Sequence, residues 1–270
     1  MTDSKHIAFL GGGNMAEAII KGLLRENSAA SLMIAEISAE RRDYLTTTYP
    51  NIRIVENSVE AGAWGEVVIL AVKPQQAVSV LTTLEQAVGA KKLIISIMAG
   101  VRTASIEEAL QSGTRVVRVM PNTPALVGMG ATAICPGRKA TPHDLDLVET
   151  IFALTGLVVR VEEKLMDAVT GLSGSGPAYV FTFVEALSDA GVKNGLPREI
   201  ASRLAVQTVL GAAQMLAETG VHPALLREKV TSPGGTTIAA LHVLENGRFR
   251  GVIMDAVDAA TQRSKELAEK

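Results

Sequence analysis

The strongest chemical signal in the chain is a run of glycines near its start. Gly11-Gly12-Gly13-Asn14-Met15-Ala16 follows the apolar run 7–10 and precedes residues 17–24, whose apolar members recur at helical spacing. In such a strand, turn and helix, Gly11 permits the tight turn and Gly13 lets the backbone approach a pyrophosphate with no Cβ in the way. Ala16 is small enough for the helix to pack close to a sheet. The free N–H groups that open the helix, at Asn14 and Met15, then face the phosphates. This spacing predicts a dinucleotide-binding βαβ unit.

Other groups of suggestive composition lie further along. Glu36 ends the second candidate strand about 20 residues past the turn, where a carboxylate bonds ribose hydroxyls and repels a 2′-phosphate. Arg41 and Arg42 follow; they either bind that phosphate or face solvent on the next helix. Ala71-Val72-Lys73-Pro74 ends a buried strand, and Lys73 is either a cofactor contact or a solvated turn lysine. In Met120-Pro121-Asn122-Thr123-Pro124 two prolines stiffen a loop that holds Asn122 in place. Two runs, Ser173-Gly174-Ser175-Gly176-Pro177 and Thr231-Ser232-Pro233-Gly234-Gly235-Thr236-Thr237, bring small hydroxyls and glycines to a helix start. Ordinary capping explains one such run; two in one region favour a substrate anion held by backbone N–H groups and hydroxyls. The four histidines, His6, His143, His222 and His242, are scattered, with no metal-ligand spacing, so no metal site is expected. No nucleophile elbow, H-E-x-x-H or phosphate-loop lysine is present. This inventory suits a hydride transfer that needs no strong protein base better than the oxidation of an alcohol.

These residues need a frame. The 270 residues with 47% apolar content allow two domains with substantial cores. A net charge of −2 and only 3% aromatic residues argue against nucleic-acid binding. The residues before Ile7 are polar, and no apolar run reaches the roughly 20 residues that span a bilayer, so neither a signal peptide nor a membrane segment is expected. Cys135 is the single cysteine and reads as a small buried hydrophobe. Candidate strands at 7–10, 32–36, 52–55, 67–72, 93–97, 116–120, 131–135 and 157–161 alternate with helical patterns. Their continuous apolar character predicts a mostly parallel sheet covered on both faces. Beyond Glu162 the pattern turns helical, over 177–192, 197–219, 235–244 and 252–267. These helices are apolar over an arc wide enough to predict a second chain packed against them. The expected organisation is α/β: a doubly wound dinucleotide-binding domain over 1–162, then an all-α domain over 163–270.

The glycine turn, the 71–74 and 119–124 segments, the 173–179 run and the 230–237 run together resemble those of the pyrroline-5-carboxylate reductases, in the same order and over essentially the whole chain. The resemblance implies NADPH- or NADH-dependent reduction of 1-pyrroline-5-carboxylate to L-proline in the cytoplasm, the last step of proline biosynthesis. It implies a Rossmann domain, a helical dimerisation domain and often a ring of five dimers. By the same analogy Asn57 contacts the adenosine part of the cofactor. Ala71 to Pro74, with Met98, Ala99 and Gly100, line its nicotinamide half, and Asn122 is expected to bind the cofactor as well. Ser232, Gly234, Gly235, Thr236 and Thr237 hold the substrate carboxylate and ring nitrogen, with Thr237 nearest the chemistry. Many relatives carry polar or basic residues where this chain has Glu36 and Ile37, so use of both cofactors is expected. The alternatives are a reductase of a related imine, a β-hydroxyacid-type dehydrogenase, or a module that senses NAD(P) without turnover. The second would want a catalytic lysine in the helical half, where Lys193 and Lys229 sit in no such motif.

Overall fold

The computed structural model describes residues 5–26, 31–85, 87–89 and 91–268. Among them eight strands form one sheet: β1 (His6–Leu10), β2 (Ser31–Ala35), β3 (Arg53–Val55), β4 (Val67–Leu70), β5 (Leu93–Ser96), β6 (Arg115–Met120), β7 (Gly130–Pro136) and β8 (Gly156–Arg160). Their order is β3-β2-β1-β4-β5-β6-β7-β8. Every pair is parallel except β6 with β7, so the sheet is mostly parallel, as expected. All eight candidate strands are found, with ends moved by a residue or two.

Burial on both faces explains the unbroken apolar runs. Ile7, Phe9, Ile34, Ile69 and Ile95 point into one core, while Ala8, Leu10, Met33, Leu70 and Ile94 point into the other. The first core is covered by α1 (Asn14–Arg25), α2 (Ala39–Thr48) and α6 (Pro142–Ala153). The second is covered by α3 (Ser58–Trp64), α4 (Ala77–Leu84) and α5 (Thr103–Ala109). A one-residue slip of any strand would exchange the two sets. A smaller cluster of Ala133, Cys135 and Met166 lies under α7 (Met166–Val169). Burial, with a push from nearby Glu163, raises the Cys135 thiol to about 12. It is therefore inert at neutral pH.

After α7 a π-type turn, Thr170–Gly174, runs into α8 (Gly176–Lys193). Then come α9 (Arg198–Thr219), α10 (Pro223–Lys229), α11 (Thr236–Asn246) and α12 (Phe249–Ala268). The four helices expected beyond residue 175 are all present; the seven-residue α10 is an addition. The chain divides into two compact units. One comprises the described residues up to Ser175 with those from Ala259 onward, joined by a hydrogen bond of 2.7 Å from Ser264 Oγ to Asp167 Oδ1; the other is Gly176–Asp258. Among the described residues, α9 is long and apolar enough to cross a membrane, by length and composition alone. Arg203, Gln207 and Gln214 interrupt its apolar run. Only Ala201 and Ala205 of α9 are buried.

α2 places one side chain, Leu45, in the core and is otherwise polar. A charged cluster ties it down. Glu17, 5% exposed on α1, accepts from Arg41 Nη2 at 2.5 Å, Tyr49 OH at 2.8 Å and Tyr44 OH at 3.1 Å, and pairs with Lys21 at 2.9 Å. Burial opposes ionisation of Glu17, but these four donors outweigh it and bring the carboxyl down to about 2. A carboxyl depressed below its unfolded value stabilises the fold above that value and ceases to do so as pH falls through the folded one. Stability should therefore drop between about pH 5 and pH 2, by up to about 3 kcal/mol from this group. In Glu17→Gln this acid limb should flatten while stability at pH 7 falls. Urea unfolding at pH 7 and pH 3 checks both, and parallel losses in the two proteins would contradict the assignment.

Candidate functional site

Where the strand order reverses, between β1 and β4, the carboxyl ends of the strands open a crevice of the kind that binds nucleotides in doubly wound sheets. The glycine turn lies there. Gly11 has φ of +100°, and a Cβ on it would stand 2.5 Å from the Ala71 carbonyl oxygen, so the position needs glycine. A Cβ on Gly12 would meet Leu45 Cδ1 at 2.5 Å. Gly13 is different: its φ of −70° suits any residue, and nothing lies within 4 Å of a Cβ built on it. It precedes α1 with no side chain capping the first amides. Open space beside uncapped N–H groups at a helix start fits a pyrophosphate.

Side chains from the β2–α2 region hold this turn from both sides. Gly12 N–H donates to Glu36 Oε2 at 2.8 Å, and the Gly12 carbonyl accepts from Arg41 Nε at 2.7 Å. The other Glu36 oxygen accepts from Ser38 N–H at 2.9 Å. Arg42 Nη1 donates to the Glu36 and Ile37 carbonyls, and its Nη2 pairs with Glu56 at 3.2 Å. Neither arginine is a free phosphate ligand or a solvated helix residue; both are engaged with the protein.

The other strand-end residues fall along the same edge. Asn57 caps α3 by accepting from Val59 N–H through Oδ1 at 2.8 Å. Ala71 N–H donates to the Leu10 carbonyl at 2.8 Å, which joins the start of the 71–74 segment to the glycine turn. Lys73 is exposed and has no ion pair among the described residues. After β5, Met98 is buried and Gly100 has φ of +76°.

Two sequence readings need revision. Asn122 is 8% exposed, and both ends of its amide are used within the protein: Oδ1 accepts from Ala131 N–H at 2.8 Å and Nδ2 donates to the Ser173 carbonyl at 3.0 Å. Its side chain is a brace, and only its main chain is left for a cofactor. The 173–177 run is not a free helix start either. It continues from α7 through the π-type turn, with Ser175 N–H donating to the Thr170 carbonyl at 2.8 Å. Pro177 has no N–H for the carbonyl four residues back, and that carbonyl, Ser173, is the one Asn122 takes.

The 231–237 run does open a helix. Gly234 has φ of +66°, Gly235 is the N-cap of α11 with no side chain capping it, and Thr236 and Thr237 form the first turn. The Gly235 N–H donates to the Ser232 carbonyl at 3.1 Å, but the Ser232, Thr236 and Thr237 hydroxyls have no hydrogen-bond partner among the described residues, so hydroxyls and the amides that follow Gly235 are available together.

Comparison with known proteins gives two family matches. Residues 6–100 match the family described as NADP oxidoreductase coenzyme F420-dependent, and residues 163–267 match pyrroline-5-carboxylate reductase dimerisation. A pyrroline-5-carboxylate reductase of Synechocystis is 49% identical, covering 99% of this chain and 100% of its own. The chain belongs to the pyrroline-5-carboxylate reductase family. Among solved structures, the reductase of Coxiella burnetii is similar with a TM-score of 0.91 and 38% identity over 99% of this chain and 100% of that one. The Plasmodium falciparum reductase with NADP bound is similar with a TM-score of 0.88 and 34% identity over 98% and 99%.

Because a side chain at Gly13 would meet only open space, Gly13→Val should fold with normal stability. It should lose cofactor binding, since the valine occupies the place of the pyrophosphate. Calorimetric titration with NADPH and NADH checks this; normal affinity would remove the turn from the site.

Proposed function

We propose that the protein reduces 1-pyrroline-5-carboxylate to L-proline with NADPH or NADH, the last step of proline biosynthesis. Full-length identity with reductases of that name carries the reading, and the open, uncapped turn at Gly13 supports it.

In this reading the pyrophosphate lies on Gly11, Gly12, Gly13, Asn14 and Met15. The adenosine ribose meets Glu36, with Asn57 beside it. Ala71, Val72, Lys73 and Pro74, together with Met98, Ala99 and Gly100, line the nicotinamide half, and Asn122 contributes its main chain. When bound, the cofactor supplies a hydride from the nicotinamide ring to the imine carbon. The substrate carboxylate is held by the amides that open α11, by the backbone of Gly234 and Gly235 and by the Ser232 and Thr236 hydroxyls. Thr237 sets its hydroxyl against the ring nitrogen. A cyclic imine that enters already protonated is an activated acceptor, so the protein's main task is orientation, and a site of serine, threonine and glycine suffices.

The helical unit is proposed to pair two chains, with five such dimers forming a decamer, in the cytoplasm. Exposed Leu204, Val206, Leu210 and Met215 on α9 are then covered by protein. A charged Arg203 and the amides of Gln207 and Gln214 within the same helix suit a protein partner better than lipid.

The direct test is consumption of NADPH or NADH, with formation of proline, when pyrroline-5-carboxylate is added to the purified protein. Thr237→Val keeps the side-chain shape and removes one hydrogen bond to a charged group. It should cost about 1.5–3 kcal/mol, or roughly 10- to 150-fold in kcat/KM, with cofactor affinity unchanged; lost cofactor affinity with normal substrate binding would reverse the roles assigned to the two segments. Glu36→Ser should shift the kcat/KM ratio toward NADPH over NADH, on the order of 1 kcal/mol or more, by removing repulsion of the 2′-phosphate. An unchanged ratio would take Glu36 away from the ribose.

A further inference from the structure

Arg118, in the middle of β6, is 3% exposed. Its Nη1 lies 3.5 Å from Glu163 Oε1, at the outer limit of a hydrogen bond, and its Nη2 has no partner. A guanidinium removed from water normally finds good partners, because an uncompensated buried charge is costly. Glu163 serves Thr103 more closely than Arg118, accepting from Thr103 N–H at 2.7 Å and Oγ1 at 2.6 Å.

The residues around Arg118 carry the same imbalance. It lines a cavity of about 420 Å³ with Arg102, Glu163, Lys164, Asp167 and Lys265, all in the first compact unit. They come from four places: the residue before α5, strand β6, the segment from the end of β8 into α7, and the last turn of α12. Four cations face two carboxylates. Both carboxylates already accept hydrogen bonds, Glu163 as above and Asp167 from Ser264 Oγ at 2.7 Å. Lys164 pairs with Glu162, which is itself 72% exposed, while Arg102 and Lys265 have no ion pair among the described residues.

We infer that this cavity binds a small dianion of the phosphate class, either free orthophosphate or the phosphoryl group of a small metabolite. Two negative charges balance the excess among the residues that line the cavity. A tetrahedral group with several acceptor oxygens can meet cations that converge from different directions, which a planar carboxylate does less well. The volume leaves room for a phosphoryl group with a short organic remainder. Arg102 and Thr103 follow the Met98–Gly100 segment after one residue, Val101, and Arg118 lies just before the Asn122 loop. An occupant therefore braces two strand-end loops at once.

The test uses the full-length protein saturated with NADPH, so that phosphate subsites for the dinucleotide are filled. Orthophosphate is titrated by calorimetry at constant ionic strength, balanced with chloride, with thermal unfolding followed in parallel. We expect saturable binding of one phosphate per chain with a rise in Tm. In Lys164→Ala/Lys265→Ala, which alters two side chains at the cavity rim, affinity should fall at least tenfold with the protein still folded; Arg118→Lys should weaken binding further. Tighter binding of glycerol 3-phosphate than orthophosphate assigns the site to a phosphorylated metabolite, and equal or weaker binding assigns it to free phosphate. Absence of saturable binding, or binding unchanged in the double variant, overturns the inference.

Discussion

Gly12 is held through both of its backbone polar groups, its N–H by Glu36 and its carbonyl by Arg41, and the geometry of the nucleotide crevice depends on that grip. Arg41 is fixed in turn by the buried carboxylate of Glu17, which rides on the helix that follows the turn. Three elements, β2, α2 and α1, are thereby locked to three glycines that could not hold themselves. Glycine gives access at the cost of conformational freedom, and a permissive turn needs restraint from outside. Here the restraint is polar, whereas the sheet beneath it rests on apolar packing.

This arrangement sharpens the question of cofactor choice. On composition, two arginines after Glu36 look like ligands for a 2′-phosphate. The structure engages both, Arg41 on the glycine turn and Arg42 on the carbonyls of residues 36 and 37 and on Glu56. What remains at the end of β2 is a carboxylate. A 2′-phosphate approaching it would need to draw an arginine from existing bonds, whereas ribose hydroxyls would find an acceptor already in place. The resemblance to an NADP-bound reductase fixes the fold and leaves this local balance to the chain's own residues.

The strands were legible because each is buried on both faces, which leaves an unbroken apolar signature in sequence; the glycine turn was legible because its spacing is tied to backbone geometry. The bonds made by polar side chains were not. Asn122 was visible as a constrained residue, but its role as a brace between Ala131 and Ser173 requires two partners, nine and 51 positions away. Glu17 reads as an ordinary acidic residue in the first turn of a helix, and only folding brings two tyrosines and Arg41 onto it. The 173–177 run misled for a physical reason: glycine, serine and proline also make a π-type turn inside a continuous helix, where the Ser175 amide already donates to the Thr170 carbonyl.

The same distinction bears on the helical unit. Local pattern located its helices, but the reason for their apolar breadth lies outside one chain. α9 exposes Leu204, Val206, Leu210 and Met215 while burying only two alanines, which leaves it far from a satisfied core helix. Lipid would have to accommodate Arg203, Gln207 and Gln214 on that helix, whereas a protein surface can offer them hydrogen bonds. The match of residues 163–267 to a dimerisation family supplies such a surface. The loop at 231–237 belongs to this unit, so pairing of chains and the shape of the loop share one set of helices. A change that loosens the apolar contact should therefore reach the loop without touching any residue in it.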